Sequence, residues 1–165
     1  MEGLLSSALF VASAIACAYQ AKKYKINTLS AICKYTGGCH CKAVTFECIA
    51  PKTLVVWDCN CSICYMKKNW HFIVPEANFT LLTGSESLQE YRFNKKIARH
   101  LFCKVCGVQA FYRPRSNPDG YAVTLACVDQ HLVKSYEIKA FDGKEWENFI
   151  DKSDIQKFSK RSSSI

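Results

Sequence analysis

The sequence predicts a mainly β domain, a β-rich α+β fold of short antiparallel strands with a C-terminal helix, held together by metal. Three observations predict it. First, seven of the 11 cysteines fall in three tight clusters, Cys39-x-Cys41, Cys59-x-Cys61-x-x-Cys64 and Cys103-x-x-Cys106. Second, short apolar stretches of strand length separate the clusters and end at Gly, Pro and Asn turns. Third, only Lys144 to Asp151 spaces its apolar residues for a helix, with Trp146, Phe149 and Ile150 on one side.

The chain is long enough, at 165 residues, for one domain with a sizeable core. Gly3 to Ala21 carries no charge and ends at Lys22, Lys23 and Lys25. Its length is close to the roughly 20 residues that span a bilayer, although Ser6, Ser7, Ser13 and Gln20 thin it. The lysines favour a membrane anchor with a cytosolic body. A signal peptide is a second reading, since Ala16-Cys17-Ala18 resembles a cleavage site, but Glu2 replaces the expected basic residues. A soluble terminal helix is the third. The predicted organisation is therefore an apolar segment over 1–21, a linker over 22–34, the metal domain over 35–152 and a polar tail over 153–165.

Within the domain, Val44, Phe46 and Cys48 alternate with polar residues as in a half-buried strand, which makes Cys48 a core residue. Leu54 to Trp57 is a short apolar strand leading into the central cysteine turn. Trp70 to Val74 is another, stopped by Pro75. Phe79 to Leu82 and Leu88 to Phe93 predict a hairpin around Thr83-Gly84-Ser85. Ile97 to Phe102 leads into the Cys103–Cys106 turn, and Val108 to Tyr112 continues as a strand. Asn117-Pro118-Asp119-Gly120 is a turn. Tyr121, Val123, Leu125 and Cys127 alternate on one face of the next strand.

The cysteine spacings fit metal better than disulfides. The count is odd, and a C-x-C pair is too short to bridge easily with itself. Two thiolates on one short turn are ordered together, and soft thiolate suits Zn²⁺ rather than Mg²⁺ or Ca²⁺. Cys39, Cys41, Cys103 and Cys106 make a closed four-thiol site that resembles the two halves of a zinc ribbon. Cys59, Cys61 and Cys64 then form a three-thiol site. Either Cys127, Cys48 or a histidine completes it as a structural site, or its fourth position stays open, as catalytic zinc characteristically has it. His71 follows this cluster and is a candidate acid/base or supporting residue. Two Zn²⁺ per chain are expected. Thiolate zinc sites need a reducing compartment, so the domain is expected to be intracellular and to face the cytosol, with the nucleus as the alternative.

The formal charge is +8. Seven thiolates and two Zn²⁺ would lower it to about +5. That weaker basic balance fits a solvated surface, an anionic small substrate or nucleic acid. The chain shows no basic run with interleaved aromatics for base stacking, which weighs against nucleic acid.

The segments G-G-C-H-C, C-N-C-S-I-C, H-F-I-V-P and F-C-K-V-C-G-V-Q-A-F-Y-R-P-R-S-N-P-D-G, in this order, resemble the glutathione-dependent formaldehyde-activating enzyme family. Within it they look most like the centromere protein V branch. The likeness covers about Tyr35 to Asp151. It implies a β-tent fold, with Cys39, Cys41, Cys103 and Cys106 on structural zinc and Cys59, Cys61 and Cys64 on catalytic zinc. It also implies carbon–sulfur lyase chemistry, the reversible joining of glutathione and formaldehyde to S-hydroxymethylglutathione. Glutathione carries two carboxylates, so Lys67, Lys68, Arg113 and Arg115, with Arg99, are candidate contacts for its ends. A non-enzymatic zinc module that binds chromatin or protein partners is the competing expectation. The apolar N-terminal run departs from the family pattern.

Overall fold

The structure, a computed structural model, describes residues 31–160. The apolar run Gly3–Ala21, most of the linker and the last five residues lie outside it. Among the described residues no helix is long and apolar enough to cross a membrane. The described chain is mainly β and forms two sheets. One has three strands, β1 (Ile32–Gly38), β2 (Thr45–Pro51) and β5 (Phe79–Thr83), in the order β1-β2-β5. The other has the order β10-β3-β4-β9-β8-β7-β6. Its strands are β3 (Thr53–Cys59), β4 (Trp70–Pro75), β6 (Leu88–Tyr91), β7 (Arg99–Cys103), β8 (Phe111–Arg113), β9 (Gly120–Thr124) and β10 (Ser135–Phe141). Two short helices join them, α1 (Ser62–Lys67) and α2 (Trp146–Phe149).

Successive residues of a strand point to opposite faces, and here both faces of the larger sheet's central strands are covered. Val56, Phe72, Phe111 and Val123 enter a core shared with Tyr35 and Phe46 of the smaller sheet. Their neighbours Trp57, Ile73, Tyr112 and Ala122 enter a second core with Phe141, Ile150 and Ile155. This two-sided burial explains why Leu54–Trp57 and Trp70–Val74 read as continuous apolar runs. It also corrects the one-sided reading of Tyr121 to Cys127. Strand β9 stops at Thr124, and Leu125–Cys127 is a turn of 3₁₀ helix.

Four further features differ from the sequence reading. The predicted hairpin around Gly84 does not form. Strand β5 pairs with β2, while β6 pairs with β7 in the other sheet. Gly84 has φ 84°, and a Cβ there would lie 2.1 Å from the Ala43 carbonyl oxygen. The chain thus turns tightly against the smaller sheet and leaves it through the 3₁₀ turn Ser85–Ser87. Strand β10 went unrecognised because most of its side chains are exposed. It pairs parallel with β3, opposite Cys59 at Phe141. The C-terminal helix is only α2, continued by a 3₁₀ turn over Ile150–Lys152. Strand β1 begins at Ile32, inside the segment read as linker, and Ile155–Ser159, inside the segment read as tail, forms a 3₁₀ helix. Tyr35 is fully buried, its hydroxyl donating to the Pro51 carbonyl at 2.9 Å. Ile155 and Ser159 are buried too.

Asn117 docks that last segment. Its Nδ2 donates to the Ile155 carbonyl at 3.0 Å and to Ser159 Oγ at 2.8 Å. Ser159 Oγ in turn donates to Asp119 Oδ1 at 2.6 Å. Asn117→Ala leaves a buried carbonyl and hydroxyl without their donor and is expected to cost about 1–3 kcal/mol in urea unfolding. An unchanged midpoint would show that the Asn117 hydrogen bonds do not hold this segment to the fold.

Candidate metal centres and the adjoining cavity

Two cysteine turns of the same plan build the four-thiol cluster. Cys39 N–H donates to the Val44 carbonyl at 2.9 Å, and Cys103 N–H donates to the Val108 carbonyl at 3.0 Å. Each turn passes through one left-handed residue, Lys42 at φ 63° and Gly107 at φ 75°. Gly107 suits that conformation; nothing in the pattern around Lys42 signals it. The Sγ atoms of Cys39, Cys41, Cys103 and Cys106 lie within 4.8 Å of one another. Backbone N–H groups point at the sulfurs. Those of Cys41 and Val108 lead in pulling Cys106 down to about 6. This donor set could hold a metal ion.

Cys59 ends β3, Cys61 precedes α1, and Cys64 lies buried within it. Their three Sγ atoms also lie within 4.8 Å of one another. The loop after β10 holds the turn. Asn60 Nδ2 donates to Asp142 Oδ1 at 3.0 Å, and Lys144 N–H donates to Asn60 Oδ1 at 3.1 Å. Gly143 closes one side; a Cβ there would lie 2.5 Å from Cys59 Sγ and 2.6 Å from Cys61 Cβ. The thiols compete for charge. Hydrogen bonds from Cys59 and then Cys64 pull Cys61 down to about 2. Cys61 leads in raising Cys59 to about 11, and Cys59 leads in pushing Cys64 far up. One thiolate therefore forms readily and the next two resist. A soft divalent cation removes that resistance, so the donor set fits the metal it would need.

The three-thiol cluster lines a cavity of about 470 Å³, together with His71, His100 and Tyr112. None of the four-thiol residues does. His71 Nδ1 lies 3.2 Å from the Asn69 carbonyl, which can only accept. The proton is therefore on Nδ1, and Nε2 accepts from the Tyr112 hydroxyl at 3.2 Å. Burial pushes His71 down to about 4, so the ring is neutral at neutral pH. Burial first, with the neighbouring sulfurs of the cluster adding to it, pushes the Tyr112 hydroxyl well above its ordinary range. Its oxygen lies 4.0 Å from Cys64 Sγ.

Of the basic residues named from sequence, Arg115 lines this cavity. Lys67 instead donates to Gln109 Oε1 at 2.8 Å. Lys68 stands over the Tyr65 ring, in a separate groove that shares Cys59 and Cys64 with the cavity. Arg113 pairs with Glu76 and lies over Tyr121. Arg99 pairs with Glu90 at 2.7 Å. Lys95, Lys96 and Lys144 line the cavity and were missed, as were Tyr112, Trp146 and Gly143. The Lys95-Lys96 doublet was the one available signal, and only the fold brings it beside the thiols. Cys48 is in the core, and Cys127 Sγ contacts the Gln109 carbonyl. Neither joins the three-thiol cluster.

A crystal structure of a Rhodobacter sphaeroides protein is similar to this fold, with a TM-score of 0.53 and 27% sequence identity. The match covers 63% of this chain and 99% of that one. Residues 34–142 match the family model described as glutathione-dependent formaldehyde-activating enzyme, which spans all seven clustered cysteines and most of both sheets. The chain, with its two thiol clusters on a mainly β frame, belongs to that family.

Proposed function

We propose that this chain is a zinc-dependent carbon–sulfur lyase resembling S-(hydroxymethyl)glutathione synthase. Its substrates would be a small thiol, glutathione first, and an aldehyde, formaldehyde first. The observation that carries this reading is the asymmetry of the thiol clusters. Both have donors that Zn²⁺ takes, and the cluster one donor short of a tetrahedral shell opens on the cavity of about 470 Å³, which none of the four-thiol residues lines. Cys39, Cys41, Cys103 and Cys106 would hold the structural ion, and Cys59, Cys61 and Cys64 the catalytic one. Zinc held by these three thiolates would keep an exchangeable position and would favour the thiolate form of an incoming thiol.

The rest falls to side chains. The cavity confines thiol and aldehyde together, which lowers the entropy cost of their encounter. Arg115 offers a planar fork to a substrate carboxylate, and Lys95, Lys96 and Lys144 add positive charge. A carbon–sulfur bond forms, the carbonyl π bond opens onto oxygen, and the proton lost by the thiol ends on that oxygen. Tyr112 donates to His71 Nε2, so its oxygen is left as an acceptor for the new hydroxyl. Within the family we read the chain as nearest centromere protein V, on the sequence segments quoted above. The competing binding-module reading predicts a salt-dependent affinity for nucleic acid.

Calorimetry in two buffers of different ionisation enthalpy is expected to show glutathione binding with proton release. S-methylglutathione keeps the carboxylates but cannot give a thiolate, so it is expected to bind more weakly and release none. Equal affinity for the two would take the sulfur off the metal and overturn the mechanism. Gly143→Ala drives a Cβ into Cys59 Sγ. It is expected to lower metal content from two ions to one per chain, with the melting midpoint little changed. Retention of both ions would show that Gly143 does not shape the site.

A further inference from the structure

The lining of the cavity already contains a carboxylate. Glu147 Oε1 accepts from Arg115 Nη2 at 2.6 Å and from Lys95 Nζ at 2.5 Å. The Arg115 guanidinium lies 3.5 Å from the centre of the Trp146 ring. All four residues line the same cavity as the three thiols. They come from three separate places: the loop after β6, the turn after β8, and α2. The loop is shaped by its own backbone. Asn94 and Lys96 are left-handed at φ 51° and 56°, and Lys96 N–H donates to the Phe93 carbonyl at 2.9 Å. Arg92 Nη1 donates to the Lys96 carbonyl at 3.3 Å, so Lys95 is presented from a braced turn. The Arg115 side chain is 21% exposed and forms part of the wall, whereas that of Glu147 is 58% exposed.

From this arrangement we infer that Arg115, Lys95 and Trp146 form a subsite for a ligand carboxylate. Glu147 fills it in the free chain, and an anionic ligand enters by displacing Glu147. The inference rests on the proposed thiol pocket only for the identity of the molecule that carries the carboxylate. The exchange is nearly balanced, which is what makes it workable. Exposed ion pairs are weak, so little holds Glu147 in place. The incoming carboxylate restores the donors it uncovers and can take the guanidinium with two parallel hydrogen bonds. Glu147 competes as a full anion, since Arg115 first and Lys95 second hold its carboxyl down near 2. A neutral thiol has nothing to exchange and leaves Glu147 on Arg115 and Lys95. Arg115 and Lys95 therefore favour carboxylate-bearing thiols over neutral ones, and Glu147 tempers that preference.

The test uses the full-length, zinc-loaded chain with two probes, S-methylglutathione and 2-mercaptoethanol. Glu147→Gln is expected to tighten S-methylglutathione about fivefold, the worth of a strong exposed ion pair, and to leave 2-mercaptoethanol unchanged. Adding Arg115→Gln is expected to cancel the gain. Glu145→Gln removes the same charge from a neighbouring carboxylate that accepts from Asn148 Nδ2 instead, and it is expected to change neither affinity. Thermal melts check that each variant folds. The subsite is overturned if Glu147→Gln gives no gain, if Glu145→Gln gives an equal one, or if no variant binds S-methylglutathione. Failure of the lyase reading looks different: glutathione then binds no better than S-methylglutathione to the unaltered chain, while the effect of Glu147→Gln persists.

Discussion

Thiolates do not gather without a cation, and this constraint organises the molecule. Seven sulfurs lie in two clusters, each with its Sγ atoms within 4.8 Å of one another. In the three-thiol cluster hydrogen bonds among the sulfurs favour the thiolate of Cys61 and hold the protons of Cys59 and Cys64. The four-thiol cluster joins turns from distant parts of the chain, with Cys41 Sγ 3.7 Å from Cys103 Sγ. Metal held there would close a long loop of the chain, and its binding energy would count toward folding.

The larger sheet gives the second cluster its setting. Because both faces of its central strands are buried, Tyr112 and Trp57 turn away from the main core into a second one. Tyr112 there meets His71, whose tautomer is set by one backbone carbonyl. Strand β10, parallel to β3, carries the chain past Cys59 and brings Gly143 against its sulfur. A parallel partner at the sheet edge thus shapes the site. An antiparallel hairpin return would have reversed the chain and taken that glycine elsewhere.

Much of this was legible in the sequence, for identifiable reasons. Cysteine clusters are local patterns, so the grouping of Cys59, Cys61 and Cys64 needed no fold. Partnering Cys39 and Cys41 with Cys103 and Cys106 needed only that four donors close a tetrahedron. Strands β2, β3 and β4 were readable because their buried residues are apolar. Strand β10 was not, because its side chains are mostly exposed and its identity comes from backbone pairing. The hairpin at Gly84 failed because a glycine turn does not say which strand comes next. Lys67 and Lys68 looked right because they follow Cys64 in sequence. Helix α1 carries them past the cavity, and Lys95, far along the chain, reaches it instead.

The central claim is a division of labour: one cluster holds the fold and the other does the chemistry. The most direct measurement compares Cys103→Ser with Cys61→Ser for zinc content and thermal melting. Cys103→Ser is expected to melt far earlier or aggregate, because structural zinc is coupled to folding. Cys61→Ser is expected to stay folded with one zinc and to lose its affinity for glutathione. Equal collapse of both variants would contradict the account, since both clusters would then be structural.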